Sequence, residues 1–402
     1  MQFQVSARKW RPQKFSELIG QEAIVRTLRN AIEMDRVAHA YVFSGTRGVG
    51  KTTSARLLAK ALNCETGPTP DPCDACVHCV EIREGRSVDV LEIDGASNNS
   101  VAEVRGLVDQ VQYATAACRF KVYIIDEVHM LSKSAFNALL KTREEPPARV
   151  VFIFATTELS KIPETILSRC QCFEFKPLSH PQIVQQLQLI CSKDGVEIDA
   201  ASLEEIAKNG AGSMRDAQSL LDQVIAFCGK KIDPGSVEGV LGLVGSEALA
   251  AFVGRLQAKD GPGLLEAVHQ LAQEGKDLPL FCRDLAEHVR DLMIVKLAAD
   301  PAALLAGKGT PMEVLRQQAG AAPLDELQQM FQVLVRAEED MKRSSLPRMV
   351  FEMAVVRLLD LRPYQALDAL INQMNALEAE PAPAGGGSTP PVTPPEGGRT
   401  PK

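Results

Sequence analysis

Over roughly the first 175 residues, short unbroken apolar runs alternate with segments whose apolar positions recur every three or four residues. AYVFSG (40–45), VDVLEID (88–94), KVYIID (121–126) and VVFIFATT (150–157) have strand length, and CFEF (172–175) reads as a last strand. Ile24, Leu28 and Ile32 share one face of a helix predicted over 21–35. Further helices are predicted from Thr52 to about Leu62, over 101–113 and over 132–145. Strands alternating with helices imply βαβ units, hence an α/β fold with a mostly parallel sheet covered on both faces. This first domain is expected to span 1–178.

Beyond Pro177 the pattern is helical only. Amphipathic segments at 180–194, 200–209 and 213–228, punctuated by Gly195, Gly210, Gly212 and Gly229, predict a small helical domain over 179–242. Longer helical patterns at 246–258, 262–274, 278–298, 312–319, 323–343 and 346–361 predict an all-helical domain over 243–362. Residues 381–402 hold seven Pro and five Gly in 22 positions and no aromatic. Such a stretch buries too little surface to offset ordering, so 363–402 is expected to be a linker or disordered tail.

Composition narrows the class. A 402-residue chain with 45% hydrophobic and 24% charged residues suits two to three soluble globular domains. No stretch approaches the ~18 apolar residues of a membrane helix, and the start MQFQVSARKW has no apolar signal region. The expectation is cytoplasmic, with no membrane partner and with cysteines serving as ligands or buried thiols. A net charge of −7 argues against a freestanding nucleic-acid binder with a broad basic surface. ARKWRPQK (7–14) packs four cations around the only Trp, and taken alone it is more often a solvated edge than a nucleic-acid site.

The chemistry concentrates at strand ends. GTRGVGKT (45–52) satisfies G-x-x-x-x-G-K-[ST] between a predicted strand and a predicted helix. Gly45, Gly48 and Gly50 let the backbone present N–H groups to phosphate, with Thr46, Arg47, Val49 and Thr53 completing the loop. Lys51 would reach the β- and γ-phosphates of ATP, and Thr52 would ligate Mg²⁺. In VYIIDEVH (122–129), Asp126 suits Mg²⁺ and Glu127 suits the attacking water. His129 gives D-E-x-H, a form found in helicase boxes, but reads better as a packing or supporting residue. Thr157, in FATTE, is a candidate polar sensor of the γ-phosphate. Arg169 ends a short helix predicted in IPETILSRC, where a cation is also locally favourable. Arg215 falls in the first turn of a helix with Ser213 as N-cap, the wrong end for a cation. A phosphate would offset that cost, and Asp216 is the plainer alternative.

Cys64, Cys73, Cys76 and Cys79 form C-x8-C-x2-C-x2-C, four of the ten cysteines. Four thiolates complete a tetrahedral zinc site with no open position, hence a structural one. An iron–sulfur cluster and replacement of one ligand by His78 are the rivals. The other six cysteines are expected to be buried apolar fillers.

Together ARKWRPQKFSELIGQE, HAYVFSGTRGVGKTTSARLLAKALNC, the cysteine insert, DGASN, VYIIDEVHMLSKSAFNALLKT, EEPP, ATTE, TILSRC and GSMRDAQSLLDQ closely resemble the gamma/tau subunits of bacterial DNA polymerase III. These are clamp-loader ATPases of the AAA+ superfamily. The resemblance covers residues 1 to about 230 and continues by position and type to about 362. It implies a RecA-like ATPase domain with zinc in the insert, a helical lid and a collar that assembles a five-subunit ring. Partners would be delta- and delta-prime-type subunits, further copies of the chain, the sliding clamp and the backbone of primer-template DNA. It makes Arg169 a finger acting in trans on a neighbour's ATP and Arg215 the lid sensor. Trp10, Pro12, Ile19 and Gln21 match segments near the adenine. The chain departs from the usual KTLEEPP at Arg143, which stands on the helix face of Phe136, Leu139 and Leu140 where an apolar residue is expected. Rival readings are another AAA+ motor such as a branch-migration helicase, and a non-hydrolysing scaffold; the intact Lys51, Thr52, Asp126 and Glu127 oppose the second.

Overall fold

A computed structural model of the protein describes residues 4–97, 111, 114–132, 135–136, 149–233, 235–242, 244–305 and 310–361. The predicted helices over 101–113 and 132–145 lie almost wholly outside these residues, as do Arg143 and the tail 363–402. The chain divides into two compact units, residues 1–243 and 244–402.

In the first unit, five parallel strands form one sheet in the order β2-β3-β4-β1-β5. They are β1 (Ala40–Ser44), β2 (Val90–Asp94), β3 (Lys121–Asp126), β4 (Val150–Thr156) and β5 (Gln171–Glu174). Strand alternation sends side chains to two faces. Tyr41, Phe43, Val122, Ile124, Val151 and Ile153 pack with Leu28, Leu57 and Leu58 of the helices Glu22–Glu33 and Lys51–Asn63. Ala40, Val42, Tyr123, Ile125, Phe152 and Phe154 pack on the other face with Val128 and Ile166. β2 begins two residues later than predicted because Val88 is exposed and only Val90 enters the core.

The lid helices His180–Asp194, Ala200–Asn209 and Met214–Cys228 bury Ile183, Leu187, Ile190, Leu203, Ile206, Leu221 and Val224 against one another. The second unit is helical throughout its described residues. Its longest members, Leu278–Leu297 and Leu324–Arg343, pack around Phe252, Phe281, Leu285, Leu334 and Phe351. No helix among the described residues is long and apolar enough to cross a membrane.

In-register pairing sets the geometry of the site. Ser44 stands opposite Thr156 and Glu174, and Asp94 stands opposite Asp126. The carboxyl ends of β1, β3 and β4 therefore share one edge, where the loops that follow them converge.

Candidate active site

β1 passes into a turn with positive φ at Gly45 (140°), Gly48 (76°) and Gly50 (103°) before the helix Lys51–Asn63 starts. Glycine adopts these angles without steric cost. Gly48 meets a second constraint: a Cβ there would lie 1.9 Å from Ser213 Oγ, at the start of the last lid helix. The turn borders a cleft of about 830 Å³ formed by the sheet edge, the N-terminal segment and the lid.

Arg47, Gly48, Val49, Gly50, Lys51, Thr52 and Thr53 line this cleft with Asp126, Glu127 and Arg215. Gly45 and Thr46 act through their carbonyls, which accept from Lys51 Nζ at 2.7 and 2.8 Å. Burial lowers the Lys51 pKa below the ordinary lysine value, with Glu127 and Asp126 opposing the shift. Thr52 Oγ1 donates to Asp126 Oδ2 at 2.7 Å, joining the P-loop to β3.

Glu127 follows with a left-handed φ of 44°. Its Oε2 accepts from Thr157 N at 3.3 Å and from Thr157 Oγ1 at 3.0 Å. His129 is buried beside it, with Nδ1 3.4 Å from the same oxygen and 3.0 Å from Thr156 Oγ1. Its Nε2 is 3.4 Å from Glu158 Oε1. His129 is thus a packed neighbour of the acid, the plainer of the two readings of D-E-x-H.

Trp10, Pro12 and Ile19 line the cleft, and Trp10 and Ile19 also pack on the lid core. Trp10 Nε1 donates to Asp194 Oδ2 at 3.2 Å, and Lys9 pairs with the same carboxylate at 2.5 Å. The Lys9 and Lys193 ammonium groups each lie 5.1 Å from the Trp10 ring centroid. ARKWRPQK is therefore a seam between sheet domain and lid rather than a solvated edge. Gln21 does not line the cleft: it is buried, donating to Lys176 O at 2.8 Å and accepting from Lys176 N at 3.3 Å.

Arg215 occupies the first turn of its helix, where Ser213 Oγ caps by accepting from Asp216 N at 3.2 Å. No ion pair joins Arg215 to Asp216 among the described residues, which leaves the plainer account of this cation without its contact. Arg169 is not part of the cleft; it follows the C-cap Ser168 of the short helix Glu164–Leu167, rather than ending the helix, and its Nη1 donates to Thr165 O at 2.8 Å.

Arg56 and Arg11 are among the cleft residues not anticipated as site residues. Arg56 makes a two-pronged pair with Glu92 at 2.6 and 2.8 Å. It stands four residues after Thr52, one helical turn along the same face, so helical spacing could have found it. Arg11 is half-buried, and burial followed by the nearby Arg56 lowers its pKa, with Glu92 opposing and Arg215 and Arg8 adding to the shift. The lining carries both signs, with Arg11, Arg47, Lys51, Arg56 and Arg215 set among Glu17, Glu84, Glu92, Asp94, Asp126 and Glu127.

The four predicted cysteines converge. Their sulfurs all lie within 4.8 Å of one another. A tetrahedron of ~2.3 Å zinc–sulfur bonds spaces its corners about 3.8 Å apart, so the set fits one zinc ion. A multi-iron cluster would hold the sulfurs farther apart. Cys64 N–H closes the P-loop helix, and Cys76 caps the helix Val77–Glu84, which no apolar period had marked. Burial opposes ionisation of Cys64, but the Cys73 N–H and the Thr66 hydroxyl outweigh it and bring its pKa to about 6. His78 turns away from the sulfurs, its Nδ1 3.5 Å from Cys118 Sγ. Of the other six cysteines, Cys118, Cys191 and Cys282 are buried as expected, whereas Cys172 is exposed on β5 and Cys170 and Cys228 are half-buried.

Three family profiles match consecutive stretches: "DNA polymerase III, delta subunit" at 20–179, "DNA polymerase III clamp loader subunit, ATPase lid domain" at 182–230, and "DNA polymerase III subunits gamma and tau domain III" at 232–373. DNA polymerase III subunit tau of Bacillus subtilis is 41% identical over 94% of this chain and 68% of its own length. The tau subunit of Escherichia coli is 41% identical over 91% of this chain, which spans 57% of that relative. The gamma subunit of Buchnera aphidicola from Acyrthosiphon pisum is 37% identical over 89% of this chain and 99% of its own. Among solved structures, the Thermotoga maritima RuvB Holliday junction branch migration motor gives a TM-score of 0.43 at 20% identity, over 61% of this chain and 78% of that one. On the strength of the sequence relatives, this chain belongs to the gamma/tau family of DNA polymerase III clamp-loader ATPases.

Proposed function

We propose that the chain is the ATP-hydrolysing motor of a bacterial DNA polymerase III clamp loader, using ATP to open a sliding clamp and load it on primed DNA. The observation that carries the reading is the 2.7 Å contact of Thr52 with Asp126, beside Glu127, in a cleft roofed by the lid. Mg²⁺ held by Thr52 and Asp126 would neutralise charge on the phosphates. Lys51 exchanges its two carbonyl partners for the β- and γ-phosphates, while the P-loop N–H groups cradle them. Glu127 orients the attacking water, steadied by Thr157. Arg215 brings the lid down on the phosphates, and Trp10, Pro12 and Ile19 flank the adenine. Arg169 completes the site of a neighbouring subunit.

The partners in this reading are delta- and delta-prime-type subunits, other copies of the chain in a five-membered ring, the clamp and DNA backbone, all in the cytoplasm. The four-thiolate loop carries structural zinc. Residues 1–178, 179–242 and 243–362 act as ATPase domain, lid and collar. The test is ATP turnover in a reconstituted loader with and without clamp and primed DNA. Joint stimulation by both is expected, whereas clamp-independent duplex unwinding would overturn the proposal. Unchanged turnover on Lys51→Ala would favour a scaffold.

A further inference from the structure

Lys60 lies in the helix that follows the P-loop and is 1% exposed. An ammonium buried this completely is tolerated only when its protons find acceptors. Three are present: Gln13 O at 2.9 Å, Gln13 Oε1 at 3.3 Å and the Asp74 carboxylate. They belong to two segments about sixty residues apart in sequence, and each segment reaches a different site.

Gln13 closes the turn that lines the cleft. Its Nε2 donates to Arg11 O at 2.8 Å, and its backbone N donates to Glu17 Oε2 at 2.7 Å. Trp10, Arg11 and Pro12 form the adjacent cleft wall. Asp74 sits between Cys73 and Cys76 with a left-handed φ of 59°. The sulfur cluster shapes that turn, with Cys76 N donating to Cys73 Sγ at 3.3 Å. The Lys60 carbonyl accepts from Cys64 N at 2.8 Å. Lys60 is therefore tied to the cysteine loop by both its side chain and its backbone, and to the cleft wall by its side chain.

We propose that Lys60 is a positioning residue: with the cysteine loop closed on its metal, Asp74 holds the Lys60 ammonium against Gln13 and so fixes the Trp10–Pro12 wall for an adenine nucleotide. Metal occupancy and nucleotide affinity are then linked, and the linkage is reciprocal. The inference rests on the nucleotide reading of the cleft and on zinc in the four-thiolate loop.

The test uses the full chain without magnesium. ADP affinity is read from fluorescence of Trp10, the only tryptophan. Apparent zinc affinity is read by competition with a chelating indicator, with and without ADP. In the wild type, saturating ADP is expected to tighten zinc roughly tenfold, within the usual range of such couplings. Asp74→Asn and Lys60→Met should retain one zinc, bind ADP roughly tenfold more weakly and lose the effect of ADP on zinc. If Lys60→Met fails to fold, Asp74→Asn decides alone. Wild-type ADP affinity in Asp74→Asn, or an ADP effect on zinc that persists when Lys51→Ala has abolished nucleotide binding, overturns the inference. Absence of any ADP binding in the wild type would instead sink the nucleotide reading itself.

Discussion

Thr157 Oγ1 donates a 3.0 Å hydrogen bond to Glu127 Oε2, so the residue after β4 orients the acid after β3. His129 lies 3.4 Å from the same oxygen, and the Glu127 backbone holds a φ of 44° that non-glycine residues seldom adopt. The carboxylate is thus aimed by contacts from two strand ends. Thr157→Val keeps the shape and removes the donor. Loader ATP turnover is expected to fall by roughly 10- to 100-fold, at the lower end of what a positioned base contributes, with ADP affinity little changed. Thr157→Ser should restore most of the rate. Equal losses in the two variants would assign the contact to packing.

Gly48 leaves no room for a side chain between the P-loop and Ser213 of the lid. At φ 76° a side chain costs about 1–2 kcal/mol in backbone strain alone, and its Cβ would also strike Ser213 Oγ. Gly48→Ala should weaken ATP binding and lower the melting temperature together. Adding Ser213→Gly should recover the part due to collision and leave the part due to φ. Calorimetric titration with ATP on the single and double variants measures both.

The P-loop and the acids of β3 are legible because each sits where the period changes, a buried strand giving way to a turn or helix. The unbroken apolar run of β1 likewise marks a buried strand, and the structure assigns Tyr41 and Phe43 to one face and Ala40 and Val42 to the other. Contacts between distant segments leave no such period. Nothing local marks Gln21 as a clasp on Lys176 rather than an adenine contact, or ties Lys60 to both Gln13 and Asp74. Cys172 misleads for a related reason: apolar character suggests burial, but β5 is an edge strand and one of its faces meets solvent. The helix Val77–Glu84 escapes notice because Cys76, its cap, is not a usual N-cap residue.

Asp89 supplies a pH-dependent brace. Its buried carboxylate accepts from the N–H groups of Ala116, Ala117 and Cys118 at 2.8–2.9 Å. Burial pushes its pKa up, but the three N–H donors, with Lys121 adding, outweigh that and lower it. A depressed folded pKa means that the ionised group stabilises above the ordinary aspartate value near ~3.9, and that this is lost as pH falls through the folded value. Asp89→Asn should cost about 1–3 kcal/mol at neutral pH and converge on the wild type in acid, as read by urea denaturation across pH. A constant difference at all pH values would contradict the linkage.

The cysteine insert should carry one zinc per chain. Metal binding to such a loop is worth ~10–16 kcal/mol on zinc-finger precedent, far more than a short excursion can gain from its own core. Chelation is expected to lower the melting temperature of residues 1–243 and to leave the transition of the second unit in place. Elemental analysis with calorimetry checks both, and iron with visible absorbance would overturn the assignment.

Arg169 separates a chain-autonomous site from a shared one. It lies outside its own cleft lining, with Nη1 on the Thr165 carbonyl, while Lys51, Thr52, Asp126 and Arg215 line that cleft together. An arginine working on its own chain's nucleotide would be expected among the lining residues; one working on a neighbour's would not. Arg169→Ala should therefore leave ATP affinity of the isolated chain unchanged and reduce turnover of the assembled loader by roughly 10³-fold or more, the scale of an arginine finger. Mixing Arg169→Ala with Lys51→Ala chains sharpens the test. Where the two variants sit side by side, an intact cleft meets an intact arginine, and turnover should return in part. Failure of any mixture to recover activity would place Arg169 in the folding of its own chain and remove it from the shared site.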